Sequence, residues 1–176
     1  AHYNSPIGNA LKLAKCQSNR RLAKVIKHAF VREGIKATTR IQPDYLVPVP
    51  SHWSRRIHRG FEITSLFSSG LSKYANIPTL YCLKNHRWRR QSSLNGIDRS
   101  WNNNRHISST QPISGHVLLI EDVVTTGTTI SQCATQLIAS GARDVSVLSL
   151  CLSGRDDTSQ HLQKNYDNVR CPFLRL

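Results

Sequence analysis

The sequence predicts an α/β fold with a mostly parallel central sheet flanked by helices, and the segment 117–152 is the main reason. Residues 117–120 form an apolar run typical of a buried strand. Apolar residues then recur at helical spacing over 130–138, and Gly141 stands where a helix C-terminal glycine belongs. Residues 144–152 are a second apolar, β-branched run. This order makes a βαβ unit, whose strands we expect to be parallel with a right-handed crossover.

The remaining elements are predicted from shorter patterns. A weak helical pattern covers 1–17, and a stronger one begins after Ser18 as N-cap and ends near Gly34. A strand cut by prolines is expected at 45–50, a helix at 61–75 and a strand at 80–83. We therefore predict a basic N-terminal helical region (1–40), an α/β core (41–152), and a C-terminal tail or edge strand (153–176).

Composition limits the class of protein. The chain has 176 residues, enough for one domain with a core, and has no apolar run of transmembrane length and no signal-peptide pattern. We expect a cytoplasmic protein without membrane insertion. The five cysteines are odd in number and form no C-x-x-C pair, which argues against both a disulfide framework and a zinc site.

The net charge of +14 is distributed unevenly along the chain. Residues 1–110 contain 19 Lys and Arg against 4 Asp and Glu, whereas residues 111–176 contain 5 against 6. Such asymmetry predicts a polyanionic partner, which can be a nucleic acid, a pyrophosphate or an acidic protein. A basic surface that only aids solubility is the alternative.

The loop between the predicted strand at 117–120 and the helix at 130–138 carries the chemistry. A loop entering a helix presents unpaired N–H groups and the positive end of the helix dipole, and so binds phosphate. Carboxylates at a strand end suit the vicinal hydroxyls of a ribose or a hydrated Mg²⁺. A ribose 5-phosphate matches both ends. The phosphate-binding residues are Thr125, Thr126, Gly127, Thr128 and Thr129, and the carboxylates are Glu121 and Asp122.

Two further basic segments are candidate binding sites. Ser51, His52, Arg55 and Arg56 follow a predicted strand, where arginines can hold a pyrophosphate. No apolar periodicity covers 84–110, which predicts an irregular or only partly helical segment. That segment is typical of a lid, of an arm that stacks on single-stranded bases, or of a solvated loop. Its candidate nucleic-acid residues are Arg87, Trp88, Arg89, Arg90 and Trp101.

Together these motifs resemble a known family. The string from Val117 to Thr129 is similar to the 5-phosphoribosyl-1-pyrophosphate (PRPP) motif of type I phosphoribosyltransferases. The stretches V-P-V-P-S-H-W-S-R-R-I-H-R-G-F (47–61) and R-R-Q-S-S-L-N-G-I-D-R-S-W-N (89–102), in the same order, resemble the competence protein ComF group of phosphoribosyltransferase-like proteins. The usual four-cysteine zinc ribbon is not in this sequence, and Glu62 stands where the group has Asn or Asp.

The resemblance implies a Rossmann-like phosphoribosyltransferase fold, PRPP or a related ribose phosphate as ligand, and Mg²⁺ bound with it. It also implies catalytic roles for Glu121 and Asp122 and a role in competence for DNA uptake, with single-stranded DNA or DNA-processing proteins as partners. The alternative is an active phosphoribosyltransferase acting on an unidentified base or amine, without a nucleic-acid role.

Overall fold

The structure is a computed structural model that describes residues 1–51, 60–86 and 106–153, together with the backbone of 169–170. In that part of the chain the helices are α1 (Pro6–Cys16), α2 (Arg20–Ile41), α3 (Ile63–Ala75) and α4 (Thr128–Ala139). The strands are β1 (Tyr45–Pro48), β2 (Leu83–Asn85), β3 (Ile107–Ser109), β4 (His116–Val124), β5 (Asp144–Leu152) and β6 (Val169–Arg170).

A parallel sheet with the order β1-β4-β5-β6 forms the centre of the molecule. Leu46 pairs with Leu118 across β1 and β4, and Leu118 pairs with Ser146 across β4 and β5. β2 and β3 form a separate antiparallel pair. The predicted α/β fold with a mostly parallel sheet is confirmed, and so is the predicted βαβ unit of β4, α4 and β5.

Strand β4 is buried on both faces, because helices cover each side of the sheet. Val117 and Leu119 pack into a core with Ile130, Cys133 and Leu137 on the α4 side. Leu118 and Ile120 pack into a second core formed with α1, α2 and α3. The sheet therefore separates two helical layers, and the site at the end of β4 lies between them.

Helix α2 is longer than its sequence pattern predicts, and the predicted end near Gly34 is wrong. A Cβ added at Gly34 would lie 3.1 Å from Leu71 Cδ1, so this glycine allows close packing of α2 on α3 rather than ending the helix. The helix continues to Ile41 and ends at Gln42, which adopts a left-handed φ of 51°.

The N-cap of α2 and the position of β2 also differ from prediction. The Asn19 side chain, rather than that of Ser18, accepts a hydrogen bond from the Leu22 N–H at 3.0 Å. The predicted strand at 80–83 lies instead at Leu83–Asn85, because Leu80 is used by β1: its N–H donates to the Leu46 carbonyl at 2.8 Å. The residue types near Leu80 predicted an extended segment, but they did not predict that this segment would bond β1.

None of the described helices is long and apolar enough to cross a membrane. In the same part of the chain Cys16, Cys82, Cys133 and Cys151 are free thiols.

Removing the aromatic contact between α2 and α3 should strongly destabilise the fold. The rings of Phe30 and Phe67 stack with centroids 4.4 Å apart, and Phe67 is fully buried. We expect Phe67→Ala to lower the free energy of unfolding by about 3–5 kcal/mol, because it leaves a cavity in the core. Urea denaturation followed by circular dichroism measures the change.

Tyr74→Ala on the same helix is the matched control, since Tyr74 is 61% exposed. It should change stability by less than about 1 kcal/mol. Equal losses in the two variants would contradict the packing described for α3.

Candidate functional site

The two acidic residues lie at the carboxyl end of β4, next to the turn that begins α4. Glu121 pairs with Ser149 of β5, and β4 ends two residues after Asp122. The Val49 N–H of the segment after β1 donates to the Ile120 carbonyl at 2.9 Å, so this segment reaches the same edge. Strand ends at one edge of a parallel sheet are the usual position of ligand sites in α/β folds.

The two carboxylates face opposite sides of the sheet. Asp122 Oδ2 lies 2.7 Å from Lys15 Nζ of α1, and the two side chains keep only 15% and 17% of their exposure. Glu121 lies on the other side, where its charge acts on the Cys133 thiol of α4. Helix α1 therefore supplies a cation to one carboxylate, while α4 covers the other.

Burial changes the protonation of Glu121. Loss of solvent raises the pKa of the Glu121 carboxyl well above its usual range, and the neighbouring Asp122 charge raises it further. The Asp122 N–H, which donates to Glu121 Oε1 at 2.9 Å, and the Lys15 ammonium act in the opposite direction on that pKa but are weaker. Glu121 therefore holds its proton to higher pH than an exposed glutamate.

The turn between β4 and α4 presents polar groups to solvent. Thr125, Thr126, Thr128 and Thr129 are exposed, whereas Gly127 is buried. Gly127 is the N-cap of α4, in the left-handed region with φ of 76°, and it has no side chain with which to cap the helix. The first turn of α4 therefore keeps backbone N–H groups available for an acceptor from outside the helix.

Two threonine hydroxyls of this turn are close together. Thr126 Oγ1 and Thr128 Oγ1 are 2.9 Å apart, and Thr126 Oγ1 also accepts from the Thr128 N–H at 3.4 Å. Helix α4 has no acidic residue in its first turn. Hydroxyl donors, N–H groups and the positive helix end thus converge where an anion is favoured.

Of the second predicted binding segment, the structure describes Ser51. Glu62, which precedes α3, accepts from the Ser51 N–H at 2.7 Å and from the Ser65 hydroxyl at 2.8 Å. This carboxylate joins the two ends of the segment 51–62. His52, Arg55 and Arg56 lie outside the described residues, and so do Arg87, Trp88, Arg89, Arg90 and Trp101.

Sequence reasoning missed Lys15 and the contact made by Glu62. Lys15 appears in the sequence as one of two lysines of a weak helical pattern, and nothing near it indicates Asp122 as its partner. A signal was available for Glu62, since this glutamate stands where the group it resembles has Asn or Asp. Its hydrogen bond to Ser51 depends on chain reversal after β1, which local pattern does not specify.

Among the residues that the structure describes, no group of three or more His, Cys, Asp or Glu side chains is placed to hold a metal ion. Magnesium does not require such a group, because it is commonly held by one or two carboxylates together with substrate phosphates and water. The Asp122 carboxylate fits that kind of site, whereas Glu121 faces the other side of the sheet and has a raised pKa, so it does not fit as a second charged ligand.

Comparison with known proteins identifies sequences that are similar to this chain. No protein-family model matches the chain. The chain is 28% identical over 162 residues to the DNA utilization protein YhgH of Escherichia coli, covering 86% of this chain and 69% of that protein. It is also 28% identical over 160 residues to competence protein F of Haemophilus influenzae, covering 85% and 69%.

Solved structures agree with the fold. Orotate phosphoribosyltransferase from Aeropyrum pernix superposes with a TM-score of 0.56 at 16% sequence identity, covering 87% of this chain and 74% of that one. At this identity the likeness concerns the fold alone. The resemblance predicted from the motifs is confirmed: the chain is similar to competence protein F and to the DNA utilization proteins over most of its length, and its fold is that of phosphoribosyltransferases.

Proposed function

We propose that the chain binds a ribose 5-phosphate group, carried by PRPP or a related ribose phosphate, at the carboxyl end of β4. The observation that supports this most is the exposed threonine turn on the uncapped start of α4, which directly follows the acidic pair. The phosphate would accept hydrogen bonds from Thr125 to Thr129, and the sugar hydroxyls would meet Glu121 and Asp122.

The state of the two carboxylates suits a polyanionic ligand. Lys15 offsets the charge of Asp122, and the raised pKa of Glu121 reduces the second negative charge. A protonated carboxyl can still donate to, or accept from, a ribose hydroxyl. The acidic pair can thus bind the sugar with less repulsion of the phosphates than two free carboxylates would cause.

Magnesium belongs to this proposal as a companion of the ligand. Asp122 is the described residue that would hold it, together with oxygens of the ligand and water. The ion would supply positive charge to the pyrophosphate. Ser51, His52, Arg55 and Arg56 remain proposed as the pyrophosphate segment.

The names of the relatives support a biological setting. Proteins called competence protein F and DNA utilization protein match over most of this chain. We therefore place the ribose-phosphate site in a protein of DNA uptake and use, with single-stranded DNA or DNA-processing proteins as partners and the cytoplasm as location. Arg87 to Arg90 and Trp101 remain proposed as nucleic-acid contacts.

A second candidate is transfer of the phosphoribosyl group to a base or amine. It is favoured by the two carboxylates at the expected position of the sugar. When pyrophosphate leaves C1 of the ribose, positive charge develops there, and nearby carboxylates stabilise it. Release of pyrophosphate from PRPP, measured against a panel of acceptors, separates transfer from binding alone.

The first test concerns the phosphate end of the site. Thr128→Val removes one hydroxyl donor, and a hydrogen bond to a charged group contributes about 1.5–3 kcal/mol. We therefore expect PRPP affinity to fall about 10-fold to 100-fold in calorimetry with Mg²⁺. Thr135→Val is the control, since Thr135 is exposed on the same helix and its hydroxyl donates to the Ser131 carbonyl. Equal affinity in the Thr128 variant and the wild type would argue against phosphate binding here.

The second test concerns Lys15. Lys15→Met keeps most of the side-chain length but leaves the Asp122 carboxylate without its cation, next to the phosphates of the ligand. We expect PRPP affinity to fall by about tenfold or more, which is about 1.4 kcal/mol or more, since removing one partner of a buried charge pair leaves the other charge uncompensated. Isothermal calorimetry measures the affinity.

Lys12→Met is the matched control for that variant. Lys12 lies on α1 as well, but its ammonium lies over the Tyr3 ring and bonds Asn4 and Asn9. It should leave PRPP affinity unchanged. Tighter binding after Lys15→Met would mean that Lys15 competes with the sugar for Asp122, which contradicts the role given to it here.

The third test concerns the protonation of Glu121. Because its pKa in the folded state lies above the ordinary value of 4.5, the folded protein keeps a proton that the unfolded chain has released. Its contribution to stability is therefore present at low pH and is lost as pH rises from about 4.5 towards the folded-state pKa. Glu121→Gln should stabilise the metal-free protein at pH 8, and the difference should vanish near pH 4.

Urea denaturation across that pH range, in the presence of a chelator, gives the comparison. The other groups near Glu121 are Asp122, Lys15 and Cys133, and all of them are retained in the variant. A Glu121→Gln variant that is less stable than the wild type at pH 8 would show that the carboxylate is ionised and satisfied.

A further inference from the structure

The outward face of helix α2 is strongly basic. The helix contains seven Lys and Arg residues and one acidic residue, Glu33. Six of the seven cations are exposed and recur along the whole helix, and we call them the α2 basic face: Arg20, Arg21, Lys24, Arg32, Lys36 and Arg40. The inward face of α2 is buried and mostly apolar, which fixes the orientation of the helix and keeps these cations in contact with solvent.

The single acidic residue of α2 does not neutralise this face. Glu33 keeps 15% of its side-chain exposure and binds Arg32 at 3.1 Å and Lys36 at 2.7 Å. Arg32 and Lys36 remain 77% and 68% exposed beside it. Both cations can therefore still meet an anion from solvent.

The described helix on the opposite face of the sheet carries no comparable charge. Helix α4, which covers the other face of the sheet, contains no charged residue at all. The charge asymmetry of the sequence thus becomes, within the described residues, an asymmetry between the two faces of the sheet. Of the two described helical layers, the one that contains α2 is therefore the one that attracts a polyanion.

The length of the α2 basic face selects the kind of partner. The 22 residues of α2 span about 33 Å, so one phosphorylated metabolite can meet only one or two of the cations. A linear polyanion can run along all of them. An acidic protein is less suited, because protein interfaces have an apolar centre, and Val25 is the exposed large apolar residue of α2.

The α2 basic face begins at the proposed ribose-phosphate site. Arg20 follows α1, whose Lys15 contacts Asp122 at the carboxyl end of β4. The other end of α2 leads to Asp44, which bonds the His116 N–H at the start of β4. A chain bound along α2 would therefore run parallel to the sheet strands, with one end near the site.

We propose that the α2 basic face binds the phosphodiester backbone of a nucleic acid. This assignment rests on the proposed DNA-related function for the class of partner, but it does not depend on PRPP binding. It adds a binding surface made of backbone contacts, separate from the predicted segment of Arg87 to Trp101. Backbone contacts of this kind are insensitive to sequence and strongly dependent on salt.

The test is a salt titration with the full chain. Binding of a fluorescent 20-nucleotide oligothymidylate, and of a duplex of the same length, is followed by anisotropy. Arg21→Gln/Lys24→Gln should weaken binding of the single strand and reduce the slope of log K against log salt by about 1.4, since each phosphate contact contributes about 0.7. Lys36→Gln/Arg40→Gln, at the other end of the helix, should do the same.

Lys73→Gln/Arg143→Gln is the matched control. It removes the same number of charges outside α2 and should leave the slope unchanged. Thermal melting of each variant verifies that the fold is retained. Equal effects in the control and the α2 variants, or no binding of either nucleic acid by the wild type, would overturn the proposal. Stronger binding of polyglutamate than of nucleic acid would overturn it as well.

The outcome is separable from that of the proposed function. PRPP affinity should be unchanged in Arg21→Gln/Lys24→Gln, whereas Thr128→Val should lose PRPP affinity and keep its affinity for the oligonucleotide. A failure of PRPP binding with an intact salt slope would leave the α2 assignment standing.

Discussion

The burial of β4 on both faces is the constraint on which the rest of the structure depends. Its four central residues, Val117 to Ile120, are fully buried and alternate between the two cores. A parallel strand covered on both sides has no surface for function along its length. Polar groups can enter only where the strand leaves the cores, which is where Glu121 and Asp122 stand.

The same alternation explains why two adjacent acids have such different surroundings. Neighbouring side chains of a strand point to opposite faces, so Glu121 meets α4 and Asp122 meets α1. The layer that contains α4 buries Glu121, whereas the layer that contains α1 supplies Lys15 to Asp122. One carboxyl therefore has a raised pKa, while the other is part of an ion pair, although both belong to a single dipeptide.

Local pattern was enough to predict the part of the fold that carries the site. Strand β4, the Gly127 turn, helix α4 and strand β5 are contiguous, and each is specified by its own apolar repeat or glycine. The partner of Lys15 could not be predicted, because the contact joins α1 to β4, which are more than 100 residues apart in the chain. The end of α2 was mispredicted since Gly34 is a packing position against Leu71, and a glycine of that kind has the same sequence signal as a helix terminator.

The distribution of charge follows from topology in a way that sequence alone does not reveal. Of the 19 Lys and Arg in residues 1–110, ten lie in α1, α2 and α3, which share one face of the sheet, while the uncharged α4 covers the other face. Lys15 reaches the acidic pair from the basic layer. A ribose phosphate at β4 and a polyanion along α2 would thus be held by different groups and coupled chiefly through α1, which touches both.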